Sequence, residues 1–290
     1  MATLVLPARP AEPSELARAF RRLMRRKSAV VGGVFVVFFI LVAALAPLIS
    51  PFDPVATDWG QVRKAPSAMH WMGTDEIGRD VLARMIWGAQ ASLLAGVISV
   101  AIAVGLGVPV GLLSGYCGGW IDALLQRITD AMLAIPFLIL AIALAAFLGP
   151  SLTNAMIAIG VSTMPIFIRL TRGQVLSVKV EDYVEAARAV GNSHARIAVR
   201  HIFPNVVAPV LVQATLSIAT AIIAEASLSF LGLGQQPPAP SWGSMLNVAK
   251  NFLSQAPWMA SFPGIAICMV VLGFNLLGDG LRDALDPKEG

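Results

Sequence analysis

Few side chains in this 290-residue sequence sit where they could do covalent chemistry. The histidines His70, His194 and His201 are scattered, with no cysteine or carboxylate at metal-ligand spacing, so no metal site is read from them. Each lysine follows Arg26, Arg63, Val178, Ala249 or Pro287; without a Gly-Lys pair there is no phosphate-cradling loop. Cys117 and Cys268 read as small packing residues rather than a disulfide or redox pair. Two polar features remain. Glu225 is the one acid well inside an apolar run. A carboxylate at the centre of a membrane helix costs on the order of 2.5–3.5 kcal/mol, so it must face a cavity, find a partner or hold a proton. It either lines a translocation path or lies nearer the outer interface, and both readings stay open.

The second feature is the segment Arg172–Asn205. Glu181-Asp182 favours a helix start, because acids suit the positive end of the helix dipole. Tyr183, Ala186, Ala187 and Val190 then give a small and apolar face, and Gly191-Asn192-Ser193 is a stop followed by a new cap. The residues His194–Phe203 predict a second short helix bearing Arg196 and Arg200, ended by Pro204. Such a helix–turn–helix suits docking into another protein's groove or lying on a membrane surface, and composition leaves both open.

These features must be carried by elements inside a bilayer. Hydrophobic residues are 57% and charged residues 13% of the chain, with a mean hydropathy of +0.75. Soluble proteins carry about 25% charge, and this balance excludes a soluble enzyme, a disulfide scaffold or a disordered tail. With about 20 apolar residues needed per crossing, the spans read as Ala29–Ile49, Leu93–Gly115, two within Ala131–Ile168, Val206–Phe230 and Phe262–Leu281. Turn chemistry at Gly149–Asn154 divides the 131–168 run into a hairpin. Backbone groups in lipid must be satisfied internally, so the fold class is an all-α polytopic membrane protein of about six transmembrane helices. Sixteen of the 21 Lys and Arg fall on the side of the N-terminus, led by Arg18, Arg21, Arg22, Arg25, Arg26 and Lys27. The positive-inside rule therefore predicts both termini in the cytoplasm. The +4 charge is a topology signal, with lipid contact favoured over nucleic-acid binding. Ala44-Leu45-Ala46 resembles a cleavage site, but the long apolar run and Pro47 favour a retained anchor. Gly107, Gly111 and Gly115 leave one helical face bare, which suits close packing within the chain more than a dimer contact. Pro109 and Pro136 predict kinks, and Trp242 and Trp258 read as interface anchors.

Glu185-Ala186-Ala187, then Gly191, then Pro204 resembles the EAA signature of ABC importer permeases. That signature has Ile and Leu where this chain has His201 and Phe203, which touches apolar anchoring and not the turn. Gly73-Thr74-Asp75-Glu76-Ile77-Gly78-Arg79-Asp80, Ser229-Phe230-Leu231-Gly232-Leu233-Gly234, Gln236-Pro237-Pro238, Ser241-Trp242-Gly243 and the run Asn275–Pro287 are similar to dipeptide/oligopeptide permeases of the DppC/OppC type. The resemblance covers about residues 18–288.

It implies a type I ABC importer permease fold in the cytoplasmic (inner) membrane: a basic cytoplasmic tail (1–28), a first transmembrane helix (29–49), an extracytoplasmic segment (50–84), a permease core (85–283) holding the cytoplasmic EAA loop (172–205), and a cytoplasmic tail (284–290). It implies a second homologous permease, two ABC ATPase subunits that bind ATP and Mg, an extracytoplasmic substrate-binding protein and a peptide substrate, with no cofactor, catalysis or nucleic acid on this chain. Glu185, Ala186, Ala187, Gly191 and Pro204 would form the coupling site on the ATPase: the alanines permit close seating, Gly191 permits the turn and Glu185 fixes the helix. The outer segments 51–84 and 234–261 would face the binding protein. Relatives of this pattern handle dipeptides, longer peptides, glutathione or nickel complexes. A stand-alone secondary transporter would need inverted repeats and more than Glu225 for ion coupling. A membrane-embedded enzyme would need a nucleophile–base or metal constellation in the spans, and no histidine is placed inside one.

Overall fold

The computed structural model describes residues 21–285. Arg18 and the rest of the basic tail before Arg21, and the end of the chain from Asp286, lie outside the described residues. Among the described residues the fold is helical, with one isolated bridge between Thr74 and Asp80. In order, the helices are α1 (Lys27–Ala44), α2 (Val81–Cys117), α3 (Gly119–Leu133), α4 (Phe137–Leu148), α5 (Leu152–Val178), α6 (Asp182–Ala189), α7 (Phe203–Phe230), α8 (Trp242–Ala249) and α9 (Trp258–Leu285). A single turn (His194–Arg196) and a π-helical stretch (Ile197–Ile202) lead into α7. Among the described residues, five helices are long and apolar enough to cross a membrane, or six if α3 and α4 count as one broken span.

The boundaries differ from the sequence reading where local chemistry decides. The first span ends at Ala44, and Ala46–Ile49 is a separate turn that takes Pro47 in its opening positions. α2 begins twelve residues before the expected Leu93, because the Asp80 carboxylate caps it by accepting from Ala83 N at 2.7 Å. Its 37 residues make a rod of about 55 Å, well beyond the ~30 Å apolar core of a bilayer. The expected third span is not one straight helix. α3 meets α4 at 91° across Ala134-Ile135-Pro136, since a proline lacks the donor that would continue α3 and its ring excludes the carbonyl four residues back. α3 is held crosswise against α5 by a two-pronged Arg172–Asp122 pair (both 2.6 Å) and by Arg169–Asp130 at 2.7 Å. The hairpin turn forms as expected. Gly149 adopts φ +92°, Ser151 caps α5 at Asn154 N, and the Asn154 amide donates to the carbonyls of Leu148 and Gly149.

Two apolar clusters make the core. One runs along α2, α5 and α7 to the segment 172–205, and the other joins α1, the N-terminal half of α2, α8 and α9. The glycine face of α2 lies against α5 in the same chain. A methyl on Gly107 would come within 2.8 Å of Met164 O, and on Gly111 within 2.6 Å of Ile168 O. Neither cysteine is a packing residue: both are exposed and unpaired.

Candidate functional site

The segment 172–205 assembles in the expected order. α5 closes at Lys179, and Glu181 precedes α6 in extended backbone. Asp182 and Glu185 occupy the first turn of α6 and Arg188 its last, all favourable to the helix dipole. α6 ends in a Schellman turn: Gly191 at φ +83° donates its N–H to Arg188 O, and Asn192 N reaches Ala187 O. Ser193 then caps the next turn by accepting from Arg196 N at 3.4 Å.

Beyond that point the structure corrects the sequence reading. Pro204 does not end the second helix. The chain stays helical from His194 to Phe230, so the loop's second arm and the fifth span are one rod. The wider π turn at Ile197–Ile202 directly before Pro204 gives room for the ring that would otherwise strike the carbonyl four residues back.

α6 also divides its small residues differently. Val184 and Ala187 are buried against the chain's own Val175, Ile197, Ile202 and Val206. Tyr183, Ala186 and Val190 point outward, at positions i, i+3 and i+7, beside an exposed Val199 and Phe203. Ala187 therefore seats α6 on this chain, and Ala186 stays exposed. Glu185 is exposed with its carboxylate open to solvent. The Tyr183 hydroxyl lies 3.5 Å from His201 O and accepts from the Asn205 amide at 3.0 Å; partial desolvation of the ring's hydroxyl end and the Glu181 carboxylate push its pKa up.

Two contacts tie this loop to the C-terminal end of α2. Lys179 Nζ donates to Gly115 O at 2.9 Å, and the Tyr116 hydroxyl meets His194 Nδ1 at 2.8 Å with the rings edge-on. Sequence reasoning missed the second, since 78 positions separate the partners and no local pattern marks either.

Glu225 lies away from the loop and is wholly buried in this conformation. Ser229 Oγ donates to one of its oxygens at 2.7 Å and Ser92 Oγ to the other at 3.1 Å. The same serines accept from Gln235 N and Trp242 N, so the carboxyl sits at the joint of α2, α7 and the segment leading into α8.

The outer segments close over that joint. Asp75 accepts from the backbone of Ile77 and Arg79 and pairs with Arg79 Nε at 2.6 Å, with Arg84 Nε 3.4 Å away. Arg84 donates to the carbonyls of Pro54 and Pro238, joining residues from both outer segments. Asp80 holds His70 Nδ1 at 2.8 Å with the oxygen not used in capping α2. Gly78 is at φ +84°, with the space for a side chain filled by the Asp58 carbonyl. Here the anchor reading of two tryptophans fails. Trp242 is 1% exposed and donates its indole to Met85 O, and Trp258 donates to Thr74 O, so both are staples within the fold. The exposed outer tryptophans are Trp59 and Trp71.

With this geometry in view, the comparisons are informative. Residues 107–289 match the family model of binding-protein-dependent transport system inner membrane components, and residues 14–66 match the N-terminal TM domain of oligopeptide transport permease C. The chain is 50% identical over 270 residues to the dipeptide transport system permease protein DppC of Alkalihalophilus pseudofirmus, covering 93% of this chain and 89% of that protein. It is 47% identical, over the same 93% of its length and 89% of the other, to the glutathione transport system permease protein GsiD of Escherichia coli. For GsiD of Pectobacterium atrosepticum the identity is 44%, covering 93% of this chain and 90% of that protein. Among solved structures, an inward-facing conformation of the MetNI methionine ABC transporter superposes with a TM-score of 0.59 at 18% identity, covering 71% of this chain and 98% of that one. That likeness speaks to the fold alone.

Proposed function

This chain belongs to the binding-protein-dependent transport system inner membrane components, permease subunits of ABC importers, and on that premise we propose that it carries dipeptides or oligopeptides inward across the cytoplasmic membrane. The reading places both termini in the cytoplasm. It gives the chain no catalysis of its own: ATP and Mg bind two ATPase subunits, a second homologous permease completes the pore, and an extracytoplasmic binding protein delivers the peptide.

The observation that supports it most is the two-armed loop, with Tyr183, Ala186 and Val190 turned outward and its second arm continuous with a membrane rod. In this reading α6 seats in an ATPase groove through Ala186, with Glu185 at its rim and Gly191 setting the angle between the arms. Pro204 marks where the second arm enters the span. Closure of the ATPases then displaces the loop and, through α5 and α7, switches access to the pore. Such a switch needs contacts that differ between two global states, and the loop supplies them at a single face. Glu225, the candidate for the translocation path, is buried in this conformation, and in this reading it fixes the joint of α2, α7 and the segment leading into α8. The expected result for Glu185→Lys and Gly191→Leu, reconstituted with the partner subunits, is normal insertion with loss of stimulated ATPase and of import. Full activity in both variants removes the coupling role.

The glutathione permeases among the relatives support a second reading, in which the cargo is glutathione. Uptake of a labelled dipeptide, challenged with unlabelled glutathione in the presence of the cognate binding protein, separates the two.

A further inference from the structure

Chain continuity joins the coupling loop to α5 and α7. The fold adds a third attachment. Gly115 and Tyr116 are neighbours in the last turn of α2, and each holds one end of the loop. Lys179, where the loop begins, donates to Gly115 O, a carbonyl in the turn where helices run out of intrahelical donors. His194, which opens the second arm, meets the Tyr116 hydroxyl at 2.8 Å. The glycine face keeps α2 against α5, the helix that leads into the first arm, so both arms take their position from α2.

At its other end the same helix carries the extracytoplasmic cap. Asp80 at its start holds His70. Arg84 reaches Pro54 and Pro238, Met85 O receives the Trp242 indole, and Ser92 accepts from Trp242 N. α2 thus touches the loop on one side of the membrane and both outer segments on the other.

We propose that Tyr116 and His194 form a latch that registers the second arm of the coupling loop on α2, making α2 a direct mechanical link between the ATPase-facing loop and the cap that meets the binding protein. Both are positioning residues: neither touches peptide or nucleotide. The proposal rests on the coupling-loop reading given above and goes beyond it by naming a connection that does not follow the chain.

The test uses the complete transporter in lipid nanodiscs: both permeases, both ATPases and the loaded binding protein. The readout is the ratio of binding-protein-stimulated to basal ATPase activity, a signal that must cross from the cap to the loop. Tyr116→Phe removes one oxygen, and His194→Ala removes the ring. Losing one hydrogen bond should lower the ratio about three- to tenfold in each. The double variant should be no worse than either single one, and His194→Asn, whose amide oxygen can take the place of Nδ1, should recover the ratio. Co-purification of the ATPases and the KM for ATP should stay as in the parent chain, because the latch does not face the nucleotide. Unchanged stimulation in both single variants, or losses that multiply in the double variant, would overturn the latch. If Glu185→Lys abolishes stimulation while the latch variants keep it, the latch alone is wrong. If Glu185→Lys and Gly191→Leu are also fully active, the loop reading falls and the latch with it.

Discussion

Replacing Glu225 by alanine should destabilise the protein severely, and replacing it by glutamine should do little. Its two oxygens receive hydroxyls from Ser229 and Ser92 in a site with no exposure. Alanine leaves both hydroxyls without that acceptor, at about 1–3 kcal/mol for each that finds no other. It also opens a cavity where a long side chain stood, and comparable truncations of buried side chains cost about 2–5 kcal/mol. The terms overlap, so about 3 kcal/mol or more is a fair expectation for the whole. Glutamine keeps the shape and one oxygen, and a serine facing its amide nitrogen can turn to accept, so the loss should be about 1 kcal/mol or less. The assay pairs the apparent Tm, followed by detergent-solubilised size exclusion after heating, with ATP-driven import. Alanine should lower Tm by several degrees and reduce import only as far as folded protein is lost. Glutamine should leave both near the parent chain. A glutamine variant with parental Tm and import down tenfold would refute the reasoning, because it would place the carboxylate's charge in the path instead of behind it.

Two further outcomes follow from other parts of the fold. Gly111→Ala puts a methyl 2.6 Å from Ile168 O and should cost about 1–3 kcal/mol as overpacking, whereas Gly105→Ala, which meets nothing within 4 Å, should be tolerated; thermal stability of the two variants checks the contrast. In the outer cap, burial and then the neighbouring Asp75 carboxylate raise the Glu76 pKa above its ordinary 4.5, outweighing the Arg79 guanidinium. A raised folded pKa means that this stability is complete below about 4.5 and is lost as pH rises through the higher folded value. Glu76→Gln should therefore raise Tm at pH 7.5, with the gain shrinking toward pH 4; a gain that grows on acidification would contradict the assignment.

Much of the fold was legible because the bilayer imposes long apolar runs, and turn residues punctuate them. Gly149-Pro150-Ser151 and Gly191-Asn192-Ser193 announced real turns, since positive φ and side-chain caps are local demands. Where tertiary contacts decide, the reading went astray. Pro204 looked like a stop, but a π turn upstream absorbs it and the helix runs on. Ala186 and Ala187 are indistinguishable in sequence, and only the position of Val184 against Ile197 and Ile202 sends one inward and leaves the other out. The 91° bend follows Pro136, but the pairs that hold α3 to α5, Asp122 with Arg172 and Asp130 with Arg169, join residues tens of positions apart. Indoles favour membrane interfaces, which makes Trp242 and Trp258 read as anchors in sequence, but the carbonyls that claim them, of Met85 and Thr74, come from distant segments.

The unbroken run from Ser193's cap to Phe230 has a leverage of its own. A continuous helix of 37 residues is about 55 Å long, so a rigid tilt of about 5° would swing its head by about 5 Å, less whatever the π turn and Pro209 absorb. At that head the Asn247 amide grips Phe230 O at 2.7 Å, and the Lys250 ammonium rests on the Phe230 ring. On the proposed topology, a nudge at the loop end would be magnified into a sweep of the small helix Trp242–Ala249 at the far end, as an oar blade answers the hand on its handle.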